Sequence, residues 1–265
     1  MVQFNMNEST LGLYFSGTGN TRHCVTEFVH CLGKNSVTIS IESSDVASMF
    51  SKHNFIVFGY PIYFRNTPKI VKDFIKDNKD NFKGKKVFII CTMGLFSGDG
   101  AGCGARIFKK CGAKIVGGLH LKMPDCIGDV KLLKKSVEGN RELIEQANKK
   151  IYDAVQKLQN GKPTKNGLKF FQHIGGLFGQ RLWFYRKTTS YKNKPIINNE
   201  KCIGCGVCAK TCPLGNLEIK DGKATSKGKC TLCYRCFSNC PTQALTILGK
   251  QVHEQCYFEK YQNEA

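Results

Sequence analysis

The sequence predicts an α/β domain with a doubly wound parallel sheet of five strands, followed by a small α+β domain rich in cysteine. Short apolar runs alternate with longer helical patterns over residues 10–160, which is typical of strand–helix units in a parallel sheet. The runs are continuously apolar, as expected of strands covered on both faces. Beyond residue 200, one cysteine-rich block occurs twice, at 202–213 and 230–241. A chain of 265 residues is long enough for both domains.

Five runs are predicted to be strands. In chain order they are LGLYF (11–15), VTISI (37–41), FIVFGY (55–60), KVFIICT (86–92) and KIVGGLHL (114–121). The carboxyl ends of such parallel strands share one edge of the sheet, where ligands bind.

Helical spacing fills the segments between and after these runs. The predicted helices are NTRHCVTEFVHCLGK (20–34), TPKIVKDFIKDNKD (67–80), GARIFKKCG (104–112) and a longer helix over 131–159. The following segment contains Gly, Pro, the only Trp and many lysines, which predicts a linker with a short amphipathic helix around 167–186. The predicted organisation is a first domain at 1–160, a linker at 161–194, a cysteine-rich domain at 195–250 and a tail at 251–265.

Composition narrows the class of protein. No apolar run approaches the roughly 20 residues that span a bilayer, and MVQFNMNEST lacks the features of a signal peptide. The predicted location is therefore the cytoplasm. Fifteen cysteines in a reducing compartment indicate metal binding rather than disulfides.

Each cysteine block has the spacing C-x₂-C-x₂-C-x₃-C-P, in CIGCGVCAKTCP and CTLCYRCFSNCP. This is the bacterial [4Fe–4S] pattern, in which the fourth cysteine binds the other cluster. One predicted ligand set is Cys202, Cys205, Cys208 and Cys240, and the other is Cys230, Cys233, Cys236 and Cys212. Structural zinc is the alternative, but zinc sites rarely need the third cysteine and the following proline twice over.

The stretch SGTGNT follows the first strand and opens a helix. Its predicted binding residues are Ser16, Gly17, Thr18, Gly19, Asn20 and Thr21. Backbone N–H groups at a helix N-terminus favour an anion, and the hydroxyls add donors. Arg22 stands where a dinucleotide-binding loop has glycine, and there is no Walker lysine. The loop therefore suits a terminal phosphate such as that of FMN, although an ordinary helix cap is an alternative reading.

Two later loops follow strands at the same predicted edge. YPIYFRNTP supplies Pro61, Ile62, Tyr63 and Phe64, with Tyr63 the first choice to stack on a flavin ring. CTMGLFSGDGAG supplies Thr92, Met93, Gly94, Leu95, Phe96, Gly98 and Asp99 for the polar edge of the ring. Ordinary surface loops remain the alternative for each.

With these motifs, the chain resembles the flavodoxin–ferredoxin fusion family of anaerobes. The resemblance implies a flavodoxin-like FMN domain and a bacterial-type ferredoxin domain with two [4Fe–4S] clusters. The chain departs from conventional flavodoxins, because GDGAG has no aromatic residue after Asp99. The second face of the ring is then expected to be covered by Met93, Leu95 or Phe96, or by the ferredoxin domain.

The net charge is +20, and half of it lies within 149–194, where eleven Lys or Arg face one Asp. A solvated face is the first reading and a docking surface for an acidic redox partner the second, with nucleic acid or a membrane surface less favoured. The seven cysteines outside the blocks read as buried small residues, with Cys103 and Cys126 nearest the predicted flavin loops.

These features predict an electron-transfer flavoprotein with one FMN and two [4Fe–4S] clusters, and no catalytic residue of its own. One alternative is a flavin-dependent oxidoreductase that reduces a small substrate. Another is a redox sensor that binds a partner through its basic face.

Overall fold

A computed structural model describes residues 9–33, 36–63, 66–95, 100–168 and 193–262. Its main element is a parallel sheet in the strand order β2-β1-β3-β4-β5. The strands are β1 (Thr10–Tyr14), β2 (Ser36–Ser40), β3 (Phe55–Pro61), β4 (Lys86–Met93) and β5 (Lys114–Lys122). The predicted fold class is confirmed, because all five predicted runs form these strands. The strand order reverses beside β1, where an open parallel sheet forms its ligand crevice.

The central strands are buried along nearly their whole length, which explains their continuous apolarity. Val57 and Phe88 face one apolar core, and Phe58 and Ile89 face another. Helices cover both faces, so the apolar side chains on either face of these strands pack into a core. The helices of this part are α1 (Asn20–Leu32), α2 (Val46–Phe50), α3 (Lys69–Asp77), α4 (Lys79–Phe82), α5 (Gly100–Lys110) and α6 (Val137–Gln159).

The long helix starts later than the sequence predicts. Residues Lys131–Leu133 form a separate 3₁₀ turn, and α6 begins at Val137. Ser136 is the N-cap, and its Oγ accepts a 3.0 Å hydrogen bond from the Gly139 N–H. The prediction of a helix from 131 is wrong because this serine satisfies the N–H groups of a new helix start.

The C-terminal part is small and built from short elements. These are β6 (Ile196–Ile197), α7 (Val207–Thr211), β7 (Leu217–Lys220), β8 (Lys223–Ser226), α8 (Arg235–Ser238) and β9 (Leu245–Thr246). β6 pairs with β9 and β7 pairs with β8, both antiparallel. Leu217, Phe237 and Ile247 are buried among cysteines in its core.

The two parts of the chain are joined through a buried carboxylate. Asp129 is 2% exposed and accepts hydrogen bonds from the Tyr234 hydroxyl (2.8 Å) and from the N–H groups of Ile247 (2.6 Å) and Leu248 (2.9 Å). A buried charge needs several donors, so this anchor fixes the C-terminal part against the loop after β5.

The last described segment returns to the first part. A 3₁₀ turn, Phe258–Tyr261, packs near α6, and the Phe258 ring stacks on His23 of α1 at 4.3 Å. The predicted linker helix lies, from residue 169 to its end, outside the described residues. None of the helices described is both long and apolar enough to cross a membrane.

Candidate cofactor sites

The loop between β1 and α1 places backbone donors at the positive end of a helix. Gly19 precedes α1 with a φ of +95°, a conformation that favours glycine. Its N–H donates a 3.1 Å hydrogen bond to Ser16 Oγ, which fixes the turn. Gly17 has no room for a side chain, because a Cβ there would lie 2.2 Å from the Cys233 carbonyl oxygen. An anion held by this loop would face the N-terminus of α1.

The two polar side chains at the start of α1 have different surroundings. Thr21 is buried, and its Oγ1 lies 2.7 Å from Oγ1 of Thr92 at the end of β4. The Asn20 Nδ2 donates to the Pro124 carbonyl (2.8 Å), but the buried Oδ1 of the same amide has no hydrogen-bond partner within the described ranges. A buried acceptor without a donor is costly, and a ligand hydroxyl would satisfy it.

A cavity of about 340 Å³ adjoins this loop at the carboxyl edge of the sheet. Its volume is within the range of cofactor pockets. Most of the predicted flavin residues line it, namely Ser16, Gly17, Thr18, Asn20, Thr21, Pro61, Ile62, Tyr63, Thr92, Met93, Gly94 and Leu95. Gly19 borders the neighbouring cleft on the β2 side instead. Phe64, Phe96, Gly98 and Asp99 lie outside the described residues.

Two further segments line the same cavity, and apart from Cys126, which was expected near the flavin loops, their residues were missed by the sequence analysis. One is the loop after β5, residues 123–127, with Leu133 beyond it. This segment follows a strand at the same edge, so the carboxyl-end rule could have found it. The other consists of Leu232 and Tyr234, from the second cysteine block. The sequence analysis named the ferredoxin domain as one alternative for covering the ring, but named none of its residues.

Burial shifts the pKa of the titratable groups that line the cavity. Burial raises the pKa of the Tyr63 hydroxyl well above its usual value, and burial beside Asp125 does the same for the pKa of the Cys126 thiol. Burial also raises the pKa of the Asp125 carboxyl, although its Oδ1 accepts a 2.8 Å hydrogen bond from Ile127 N–H and Lys134 lies nearby. Such a lining suits an uncharged ring system.

The eight cysteines of the two blocks gather into two groups of four. One small cavity is lined by Cys202, Cys205, Cys208 and Cys240, and a second by Cys212, Cys230, Cys233 and Cys236. In each group the last cysteine of one block therefore joins three cysteines of the other. This is the grouping that the crossed ligand sets require, and it follows because the two blocks pack against each other in the core.

Backbone N–H groups point at sulfur in both groups. In the first group, Ala224 N–H donates to Cys202 Sγ (3.4 Å) and Ala244 N–H to Cys240 Sγ (3.3 Å). In the second, the N–H groups of Leu232 and Asn216 donate to Cys230 Sγ and Cys212 Sγ, both at 3.3 Å. Such donors stabilise negative charge on thiolate and cluster sulfur and set cluster potentials. The donor set therefore fits iron–sulfur clusters.

The second cysteine block also touches the loop before α1. Arg235, between Cys233 and Cys236, donates a 2.7 Å hydrogen bond to the Ser16 carbonyl oxygen. The same guanidinium pairs with Glu42, which follows β2, at 2.8 and 2.7 Å. The loop between β1 and α1 and one cysteine group thus form adjoining parts of one structure.

Comparisons with known proteins assign both parts of the chain. The family model described as a flavodoxin domain matches residues 11–109, and that described as a 4Fe-4S dicluster domain matches residues 194–241. The fold and the sites therefore define a protein that joins two redox domains in one chain. The chain carries a flavodoxin domain followed by a 4Fe-4S dicluster domain.

Individual relatives match one part at a time. An uncharacterised ferredoxin of Methanocaldococcus jannaschii is 36% identical over 73 residues, which are 25% of this chain and 46% of that protein. A second from the same organism is 42% identical over 57 residues, 20% of this chain and 74% of that one. The chain spans less than half the length of the first curated relatives it matches.

Among solved structures, the chain is similar to the two-electron reduced flavodoxin of Megasphaera elsdenii. The identity is 26%, the match covers 53% of this chain and 98% of that one, and the TM-score is 0.39.

Proposed function

We propose that the chain is an electron carrier that holds one FMN at the carboxyl edge of the sheet and two [4Fe–4S] clusters in its two cysteine groups. One observation carries the proposal. The second cysteine block supplies three of the four cysteines of one cluster cavity and also forms part of the wall of the cavity assigned to FMN. FMN exchanges one or two electrons and each cluster exchanges one, so a chain with all three can convert between single and paired electrons.

Different residues around the cavity beside the β1–α1 loop would bind different parts of FMN. Backbone N–H groups of the loop 16–20 other than that of Gly19, which donates to Ser16 Oγ, would hold the phosphate at the end of α1 together with the Thr18 hydroxyl. The unpaired Asn20 Oδ1 would accept from a hydroxyl of the sugar chain. Tyr63, Met93 and the residues after β5 would pack on the ring and keep water away from it.

The cysteine groups differ in exposure, which suggests different roles. Cys233 is buried against the loop at Gly17, whereas Cys205 is exposed. Ile203 beside it is 65% exposed. We propose that a redox partner protein docks next to the cysteine group that contains Cys205. The exposed Lys201 and Lys220 nearby, and the net charge of +20, favour an acidic partner.

Anaerobic purification tests this proposal directly. We expect one FMN and about eight iron atoms per chain, the content of two four-iron clusters, with flavin and cluster bands in the visible spectrum. Zinc in place of iron, or a preparation that binds neither FMN nor riboflavin, would contradict it.

A further inference from the structure

The two cysteine blocks have the same backbone conformation at two matching positions but different residues there. In the first block, φ is +68° at Gly204 and +75° at Gly206. In the second block, φ is +61° at Leu232 and +57° at Tyr234. Glycine adopts this left-handed conformation freely, whereas a residue with a side chain is strained in it. The second block therefore keeps strained residues at positions where the first block has glycine.

Such strain persists where the side chains themselves have a role. Both side chains are buried, with exposures of 5% for Leu232 and 1% for Tyr234, and both line the flavin cavity. They lie on either side of Cys233 in the chain. The Tyr234 hydroxyl donates to Asp129 (2.8 Å), which holds its ring in place. The Leu232 side chain contributes only carbon atoms to the wall of this cavity.

The flavodoxin part lines the cavity from the loops after β3 and β5, but its loop after β4 adds little buried apolar surface. From the loop after β4, the described lining consists of Met93, Gly94 and Leu95, and Leu95 is 67% exposed. Within the described residues, Leu232 and Tyr234 are the side chains that the C-terminal domain adds to this wall. They therefore extend the apolar wall of the cavity with side chains of the C-terminal domain.

We infer that Leu232 and Tyr234 are flavin-covering residues supplied by the iron–sulfur domain, and that they shield the flavin from small oxidants such as quinones. This inference rests on the proposed function, since it needs FMN in the cavity. It explains why the second block retains left-handed residues with side chains. It also favours electron exchange with the neighbouring cysteine group over reaction with a diffusing substrate.

The test compares Leu232→Gly with Asp221→Gly in the full, cofactor-loaded chain. Asp221 has a φ of +50° in the exposed turn between β7 and β8 and lines none of the three cofactor cavities. Both substitutions relieve left-handed strain, but only the first removes a covering side chain. The reduced protein is mixed with menadione, which takes two electrons and two protons from reduced flavin and becomes the hydroquinone. Flavin reoxidation is followed by absorbance, and riboflavin binding is measured separately.

We expect Leu232→Gly to weaken riboflavin binding about tenfold, the loss due to one buried leucine side chain, and to speed reoxidation at least fivefold. Asp221→Gly should match the wild type in both. If the glycine variant loses iron, Leu232→Ala is measured in its place, because it removes most of the side chain and keeps a residue with a side chain in the strained backbone conformation. Wild-type reoxidation and binding in a Leu232 variant of full iron content would overturn the inference. Wild-type protein that binds no flavin would overturn the proposed function instead.

Discussion

Arg235 Nη2 donates a 2.7 Å hydrogen bond to the main-chain carbonyl oxygen of Ser16. A side chain of the second cysteine block thus holds the first residue of the loop to which we assign the phosphate. The same guanidinium pairs with Glu42, and the two side chains are only 21% and 25% exposed. Because charge-assisted hydrogen bonds strengthen away from water, this contact joins the two domains firmly.

Arg235→Leu should therefore lower the free energy of unfolding by about 2 kcal/mol, since it leaves Glu42 partly buried without its partner. Arg22→Leu is the matched control. Arg22 pairs with Glu259 of the C-terminal segment, but both side chains are about half exposed, so its removal should cost less than about 1 kcal/mol. Urea unfolding of the holoproteins measures both. Equal losses of unfolding free energy in the two variants would show that Arg235 does not stabilise the contact between the domains more than an exposed ion pair does.

The crossed cysteine groups predict which cluster each substitution damages. Cys240→Ala should disable the cluster of Cys202, Cys205 and Cys208, although Cys240 belongs to the other block. Cys212→Ala should damage the cluster of the second block instead. EPR spectra of the reduced variants distinguish the two clusters, and a three-iron product at the predicted cluster would support the assignment. Damage confined to the cluster of the substituted cysteine's own block would refute it.

Much of this organisation could be predicted because short-range patterns specify it. Continuous apolar runs mark buried parallel strands, and the cysteine spacing predicts which thiols meet. The start of α6 was missed because the helical spacing continues through Lys131–Leu133, while a single cap at Ser136 decides where the helix begins.

The wall of the flavin cavity could not be predicted in the same way. The cysteine pattern does not specify the residues between the cysteines. The backbone angles are therefore needed to see that Leu232 and Tyr234 adopt a left-handed conformation where the first block has glycine. The docking of the two domains depends on contacts between residues far apart in sequence, such as Asp129 with Tyr234. No local pattern encodes such a contact.

The phosphate loop predicts a difference between two threonines. Thr18→Val should weaken FMN binding at least tenfold, because one charge-assisted hydrogen bond contributes about 1.5–3 kcal/mol. Riboflavin, which lacks the phosphate, should bind this variant and the wild type equally well. Thr21→Val instead breaks the buried contact with Thr92, so it should lower stability and affect both ligands alike. Equal weakening of FMN and riboflavin by Thr18→Val would exclude a phosphate at this loop.

The central claim is that flavin and clusters exchange electrons within one chain, and stopped-flow spectroscopy tests it most directly. Clusters are reduced rapidly, and the flavin spectrum is followed at several protein concentrations. Gly17→Ala serves as the disrupting variant, because its Cβ would lie 2.2 Å from the Cys233 carbonyl oxygen, and Gly139→Ala, with 3.4 Å to Ser136 Oγ, is its control. We predict fast flavin reduction at a rate independent of concentration in the wild type and the control, and slower reduction in Gly17→Ala. A wild-type rate that rises in proportion to protein concentration would contradict the account, because electrons would then pass only between molecules.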